Sequence, residues 1–222
     1  MSTPKPLASY FEHTVLKPDT THADVEQVCR EALQYHFAGV CVPPYFIEQA
    51  ADLLQDSDVD LVTVIGFPYG YSTTMSKFQE IEDAMQAGAY HLDVVVNIAA
   101  VKAQDWDQVE TEMQTLTRLA HSEDRIIKVI AESGLISEVE LDLLMRIAND
   151  CGIDYLKTST GVNGSGASTE VIEQMRKGLS PHIRIKASGG IRSREAALDM
   201  IRMGADRIGA SASVAIMQEG AN

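Results

Sequence analysis

Residues 125–161 read RIIKVIAESGLISEVELDLLMRIANDCGIDYLKTSTG. Two short apolar runs, Arg125–Ala131 and Tyr155–Thr158, flank a segment that opens at Ser137 with Glu140 three positions on. That spacing predicts a capping box, in which the serine hydroxyl and the glutamate carboxylate satisfy backbone N–H groups at a helix start. The flanking runs are continuously hydrophobic rather than alternating, as expected of strands covered by helices on a parallel sheet. One strand, one helix and a second parallel strand follow.

The same alternation extends in both directions. Further apolar runs stand at Ala38–Val42, Leu61–Phe67, His91–Val96, Ile183–Ala187 and Arg207–Ala210, with a weaker one over Tyr10–Leu16. Between them Asp105–His121 places Trp106, Val109, Met113, Leu116 and Ala120 on one helical face. Thr21, Ser72, Ser168 and Ser193 are expected N-caps of further helices. Eight strand–helix units in 222 residues allow about 28 residues each, near the lower end for a (β/α)8 TIM barrel. A doubly wound open sheet is the competing architecture, disfavoured because no Gly-x-Gly-x-x-Gly follows the first strand. No linker composition interrupts the chain, so one barrel domain is expected over residues 1–222.

Composition narrows the partners. Lys and Arg number 18 against 32 Asp and Glu, a formal charge of −14, which repels nucleic acid and anionic membranes. No apolar run reaches the roughly 18 residues of a membrane span, and the first residues lack a signal-peptide core, so the expected location is the cytoplasm. Cys29, Cys41 and Cys151 are too few and too far apart for a disulfide framework, and the six histidines show no metal-ligand spacing. Neither a metal nor an organic cofactor is expected.

The informative residues are the charged ones inside the apolar runs: Asp93, Lys128, Lys157 and Lys186. A charge in a strand buried on both faces costs several kcal/mol, by rough reckoning, unless it is paired or neutralised. The lysines are spaced 29 residues apart, one strand–helix unit per step, and are expected at similar depth near the C-terminal ends of three successive strands. If they face the lumen, crowding and burial favour a neutral amine, the form that condenses with a carbonyl to a Schiff base. The alternative for each is a static bridge to Asp93 or Glu132, or a solvent-facing strand end.

Small residues gather after the last three runs: Thr158-Ser159-Thr160-Gly161, Ser188-Gly189-Gly190-Ile191 and Gly209-Ala210-Ser211-Ala212. Glycine admits close backbone approach, and successive N–H groups favour an anion, so a phosphate monoester is expected there. Gly66-Phe67-Pro68-Tyr69-Gly70 is read as a shaped turn and a wall of the pocket, and Cys41 either faces that pocket or is a buried structural thiol.

These residues resemble the deoxyribose-phosphate aldolases, class I aldolases on a TIM barrel. The likeness runs from Glu12-His13-Thr14-Val15-Leu16-Lys17-Pro18 through Val40-Cys41-Val42, Val64-Ile65-Gly66-Phe67-Pro68, Asp93-Val94-Val95 and Lys128-Val129-Ile130. It is most specific in the pair Lys157-Thr158-Ser159-Thr160-Gly161 and Lys186-Ala187-Ser188-Gly189-Gly190-Ile191-Arg192. The resemblance implies reversible cleavage of 2-deoxy-D-ribose 5-phosphate to acetaldehyde and D-glyceraldehyde 3-phosphate, in deoxynucleoside catabolism. It also implies that Lys157 forms the Schiff base, while Lys186 lowers the pKa of that amine and joins Asp93 in proton transfer through water. Gly161, Gly189, Gly190 and Ser211 match positions around the phosphate, and Lys128 and Cys41 match the pocket lining. Three departures stand out: Glu12 where the family usually has Asp, expected to reach a sugar hydroxyl; Val162 where some members carry lysine; and a tail, Gln-Glu-Gly-Ala-Asn, without the terminal tyrosine of some members.

Three rival readings remain at this point: a class I lyase for a longer phosphorylated sugar, a non-catalytic phosphosugar-binding protein, and an isomerase using Asp93 and Lys186. Apolar positions on the outer helices permit a homodimer or a higher form, and the sequence does not single out the interface.

Overall fold

All eight apolar runs form strands, and the strands close on themselves. In the computed structural model, which describes residues 5–219, these are β1 (Phe11–Thr14), β2 (Gly39–Val42), β3 (Asp60–Ile65), β4 (His91–Val95), β5 (Ile126–Ile130), β6 (Tyr155–Lys157), β7 (Arg184–Ser188) and β8 (Arg207–Ala210). Each pairs in parallel with its sequence neighbours, and β8 returns to β1, which closes the (β/α)8 barrel and rules out the open sheet. The two ends of the expected 1–222 domain, and the last residues of the tail, lie outside the described residues.

The outer layer contains α1 (His22–Tyr35), α2 (Ile47–Leu54), α3 (Thr74–Gln86), α4 (Ile98–Lys102), α5 (Trp106–Ser122), α6 (Glu138–Cys151), α7 (Thr169–Gly178), α8 (Arg194–Met203) and α9 (Ser213–Gln218). Capping chemistry sets several starts. Ser137 and Glu140 form the expected box at α6, and Thr21 with Asp24 forms another at α1. Ser168 and Ser193 cap α7 and α8. At α3 the cap is one residue later than expected: Thr73 accepts from the Ser76 N–H at 3.2 Å, whereas the Ser72 hydroxyl is buried without a hydrogen-bond partner among the described residues. Either hydroxyl suits the role chemically, and the turn that brings Thr73 Oγ1 over the first helical N–H groups decides between them.

Val109, Met113, Leu116 and Ala120 of α5 are buried, as their spacing requires. They belong to a continuous apolar layer between helices and sheet that includes Ile65, Leu92, Val94, Ile127, Val129, Leu156 and Ile185. Side chains alternate along a strand, so the intervening residues point into the lumen. The charged positions Glu12, Asp93, Lys128, Lys157 and Lys186 therefore share the inner face. All five are buried.

Candidate active site

Strand register positions the charged residues. Asp93 lies opposite Lys128, and Lys157 lies opposite Lys186. The expectation of three lysines at one level is corrected: Lys128 pairs with Tyr155, two residues before Lys157. The uniform 29-residue spacing conceals this, because the loop between β5 and β6 shifts the register and the one between β6 and β7 does not.

The amines nevertheless converge. Asp93 Oδ2 accepts from Lys157 Nζ at 2.7 Å and from Lys186 Nζ at 2.6 Å, while Asp93 Oδ1 accepts from Lys128 Nζ at 2.9 Å. Glu12 approaches the same group from β1, accepting from Lys186 through Oε2 and lying 3.4 Å from Lys128 through Oε1. Its carboxylate thus braces the two lysines. Glu132, weighed from sequence as a static partner for the lysines, has left the strand at φ 52° and instead accepts from the Thr160 N–H and hydroxyl.

The electrostatics distinguish the two central lysines. Burial lowers the Lys157 pKa and Lys186 reinforces the effect, so the group titrates below its ordinary value although Asp93 opposes the shift. Burial also acts on Lys186, but Asp93 and Glu12 together outweigh it and raise that pKa. For Asp93 burial opposes ionisation, yet Lys128, Lys157 and Lys186 hold the carboxyl well below the usual range. Glu12, likewise buried, is lowered to about 2, chiefly by Lys128 and Lys186. Three ammonium groups against two carboxylates leave one excess positive charge in the lumen. Releasing the Lys157 proton removes it.

Loops after the strands surround the amines. Thr158 and Ser188 fasten the loops after β6 and β7: Thr158 Oγ1 donates to the Ser188 carbonyl at 3.0 Å and accepts from the Ser188 N–H at 3.0 Å, and Ser188 Oγ donates to the Ser159 carbonyl at 2.5 Å. Several hydroxyls in the conspicuous Thr-Ser-Thr and Ser-Gly-Gly runs therefore hold loop to loop. Thr158 and Ser188 are site residues not singled out individually from sequence, although the hydroxyl clusters that contain them were marked.

Gly161, Gly189 and Gly190 all have positive φ, 80°, 90° and 77°. A Cβ on Gly189 would lie 2.8 Å from the Gly166 Cα, so only glycine fits this crossing of two loops. Ser211 is exposed after β8.

A cavity of about 870 Å3 opens at the same C-terminal face, walled by the loops after β1, β2 and β3 and reaching Val162. The Gly66–Gly70 turn is one wall, with Gly70 N–H donating to the Gly66 carbonyl at 2.8 Å. Lys128, Lys157 and Lys186 are not among its lining residues, although Lys17 is; Val64, the register partner of Asp93, connects it to the charged cluster. Cys41 lies in a small apolar group with Val62, Val64, Leu16 and Phe67, and burial pushes its thiol up to about 11. It is a fully buried, protonated thiol behind the cavity wall rather than one of the lining residues.

This arrangement can hold a neutral amine in a buried lumen beside a second cation and a carboxylate, beneath glycine-rich loops. Comparisons with known proteins show the family. The model of the DeoC/LacD family aldolases matches residues 7–220. The deoxyribose-phosphate aldolase of Caldicellulosiruptor saccharolyticus is 43% identical over 218 residues, 98% of this chain and 99% of that one. Deoxyribose-phosphate aldolase 1 of Bacillus licheniformis is 43% identical over 96% of both chains. The tetrameric deoxyribose phosphate aldolase of Aeropyrum pernix superposes with a TM-score of 0.91 at 33% identity, over 97% of this chain and 91% of that one. With a family model spanning nearly its full length, this chain belongs to the DeoC/LacD family of aldolases.

Proposed function

We propose that this protein is a class I aldolase that reversibly cleaves 2-deoxy-D-ribose 5-phosphate to acetaldehyde and D-glyceraldehyde 3-phosphate, through a Schiff base on Lys157. One observation carries the assignment of the nucleophile: Lys157 and Lys186 share Asp93 Oδ2, but only Lys186 is also bound to Glu12. The lysine held by two carboxylates stays charged, and the lysine held by one is the free amine.

The Lys157 amine attacks C1 of the open-chain sugar, and loss of water leaves a protonated imine. That imine is an electron sink. Removal of the C3 hydroxyl proton then breaks the C2–C3 bond, releasing glyceraldehyde 3-phosphate, whose carbons are C3 to C5, and leaving a two-carbon enamine on Lys157. Protonation at C2 and hydrolysis return acetaldehyde and the amine. Asp93 and Lys186, with water, are the proton carriers nearest the nitrogen. Gly161, Gly189, Gly190 and Ser211 receive the phosphate, while Lys128 and Glu12 fix the charge of the cluster and Cys41 packs behind the apolar wall. No step calls for a metal or an organic cofactor.

The barrel is the catalytic domain, and its unpaired thiols and acidic surface suit the cytoplasm. Among the described residues no helix is long and apolar enough to cross a membrane. The outer helices permit a homodimer or a higher form, and a monomer in sedimentation velocity would remove that part of the proposal.

The test is borohydride reduction with acetaldehyde or deoxyribose 5-phosphate, followed by peptide mapping. A covalent mass increase on the peptide containing Lys157 is expected. No adduct, or one on Lys128 or Lys186, overturns the assignment.

A further inference from the structure

Beneath the lysines, on the side away from the substrate loops, the lumen contains a second polar group. Glu12 Oε1, His91 Nδ1, Tyr155 OH and Arg207 Nε are buried side-chain atoms with no hydrogen-bond partner among the described residues. Buried polar atoms are seldom left unpaired, so their gathering at one level of the lumen marks a site. Three of them face one another: Glu12 Oε1 lies 4.0 Å from His91 Nδ1 and 3.9 Å from Arg207 Nε. Those gaps are too long for direct hydrogen bonds, and a water within reach of all three atoms would have the three partners usual for a buried water.

The group continues downward. His91 Nε2 is 3.7 Å from Asp60 Oδ2, and Arg207 Nη2 is 3.9 Å from the same oxygen. Asp60 begins β3, is 29% exposed at its side chain, and lines a cavity of about 420 Å3 at the N-terminal face of the barrel. The donors do not fit a metal ion, because Arg207 and Lys128 supply positive charge beside the carboxylates and the described residues contain no metal-holding group.

We propose that the barrel floor binds an ordered water between Glu12 Oε1, His91 Nδ1 and Arg207 Nε, and that this water and the His91 imidazole form a second proton path from Asp60 to the Lys186–Glu12 pair. The path rests on the aldolase reading for its use. Condensation of the neutral Lys157 amine with an aldehyde consumes one proton and releases one water as the iminium forms, and hydrolysis returns that proton. Bound substrate covers the C-terminal mouth at that moment, whereas the floor stays open. Lys186 first gives its proton through Asp93 to the carbinolamine hydroxyl, which leaves as water, and is then recharged from the floor: a proton from Asp60 crosses the 3.7 Å gap through solvent to His91 Nε2, the Nδ1 proton leaves to the ordered water, the water protonates Glu12, and Glu12 returns a proton to Lys186.

The surroundings keep His91 in the neutral form that such a relay needs. Burial lowers its pKa to about 3, and Lys128 from β5 and Lys186 from β7 act in the same direction, against Glu12 from β1 and Asp93 on its own strand. Asp60 and Arg207 face it from β3 and β8, and the Tyr155 ring from β6 lies 6.5 Å away. Asp60 itself is raised by burial, so it holds a proton more often than an exposed aspartate at the same pH.

The experiment pairs a high-resolution crystal structure of the whole chain with kinetics of His91→Gln. Glutamine retains a polar contact to the water but has no second nitrogen through which to pass a proton. Expected are density for a water between Glu12, His91 and Arg207, and in His91→Gln a kcat about ten-fold lower with an enlarged solvent deuterium isotope effect, while borohydride still traps Lys157 to the wild-type extent. Tyr155→Phe removes a neighbouring unpaired hydroxyl outside the path and is expected to keep kcat within about two-fold. Absence of that water, or a His91→Gln enzyme with wild-type kcat and isotope effect, overturns the path. If the wild-type protein forms no adduct, the aldolase reading fails instead, and the crystallographic arm still decides whether the floor binds water.

Discussion

Lys157 and Lys186 are register partners on β6 and β7, and their amines meet on a single oxygen of Asp93. Residues opposite each other on parallel strands point to the same face, so neither lysine can leave the lumen without changing the pairing of its strand. The effect of Lys186 on Lys157 is therefore built into the barrel.

Replacing Lys186 by leucine removes the nearby cation that, after burial, lowers the Lys157 pKa. The Lys157 pKa then rises, less free amine is present near neutrality, and the acid limb of the kcat/KM profile moves to higher pH. Turnover at neutral pH is expected to fall by about 100-fold or more. A pH–rate series on the variant checks both effects, and an unmoved limb counts against like-charge activation.

Acid should unfold the protein from the lumen outward. Glu12 titrates at about 2 in the folded chain against an ordinary value of 4.5, so its contribution to stability is complete above the ordinary value and is lost as pH falls toward 2. His91, lowered to about 3 from 6.5, acts in the same sense, because the unfolded chain takes up that proton first. Urea midpoints are expected to decline below about pH 6.5 and to fall more steeply below 4.5. Flat midpoints over that range would contradict the buried assignments.

Two neighbouring glycines should respond differently to alanine. At Gly189 a methyl group meets the Gly166 Cα at 2.8 Å and φ is 90°, so Gly189→Ala must displace a loop. At Gly190 φ is 77° but no atom lies within 4 Å of the added carbon, leaving only backbone strain of about 1–3 kcal/mol. A raised KM for the phosphorylated substrate with a clear drop in Tm is expected for the first, and a smaller loss of Tm for the second. Melting curves and steady-state kinetics on the pair test this.

Away from the site, Lys77 of α3 is fully buried and donates to Glu112 of α5 at 2.6 Å and to the Val95 carbonyl at 2.8 Å. Lys77→Met leaves the Glu112 carboxylate buried without its counter-ion, at a cost of about 3–5 kcal/mol. The double variant Lys77→Met, Glu112→Leu should recover most of that loss. Chemical denaturation of both proteins provides the comparison.

Lys77 also shows where sequence reading stops. Nothing in Thr73-Thr74-Met75-Ser76-Lys77 distinguishes a solvent-facing lysine from a buried one, since its partner Glu112 lies on a helix 35 positions away. The strands, the α6 capping box and the lysines within apolar runs were legible because each depends on residues a few positions apart, governed by local backbone and side-chain periodicity. Closure into a barrel was favoured by the number of strand–helix units, and the pairing of β8 with β1 settles it. Which lysine would be neutral could be anticipated only through resemblance. The two-residue shift that separates Lys128 from Lys157, the second carboxylate on Lys186 and the turn of Glu132 onto Thr160 all depend on register and loop path. Those are properties of chain segments brought together from far apart in sequence, and the burial that lowers one amine's pKa exists only once the barrel has closed around it.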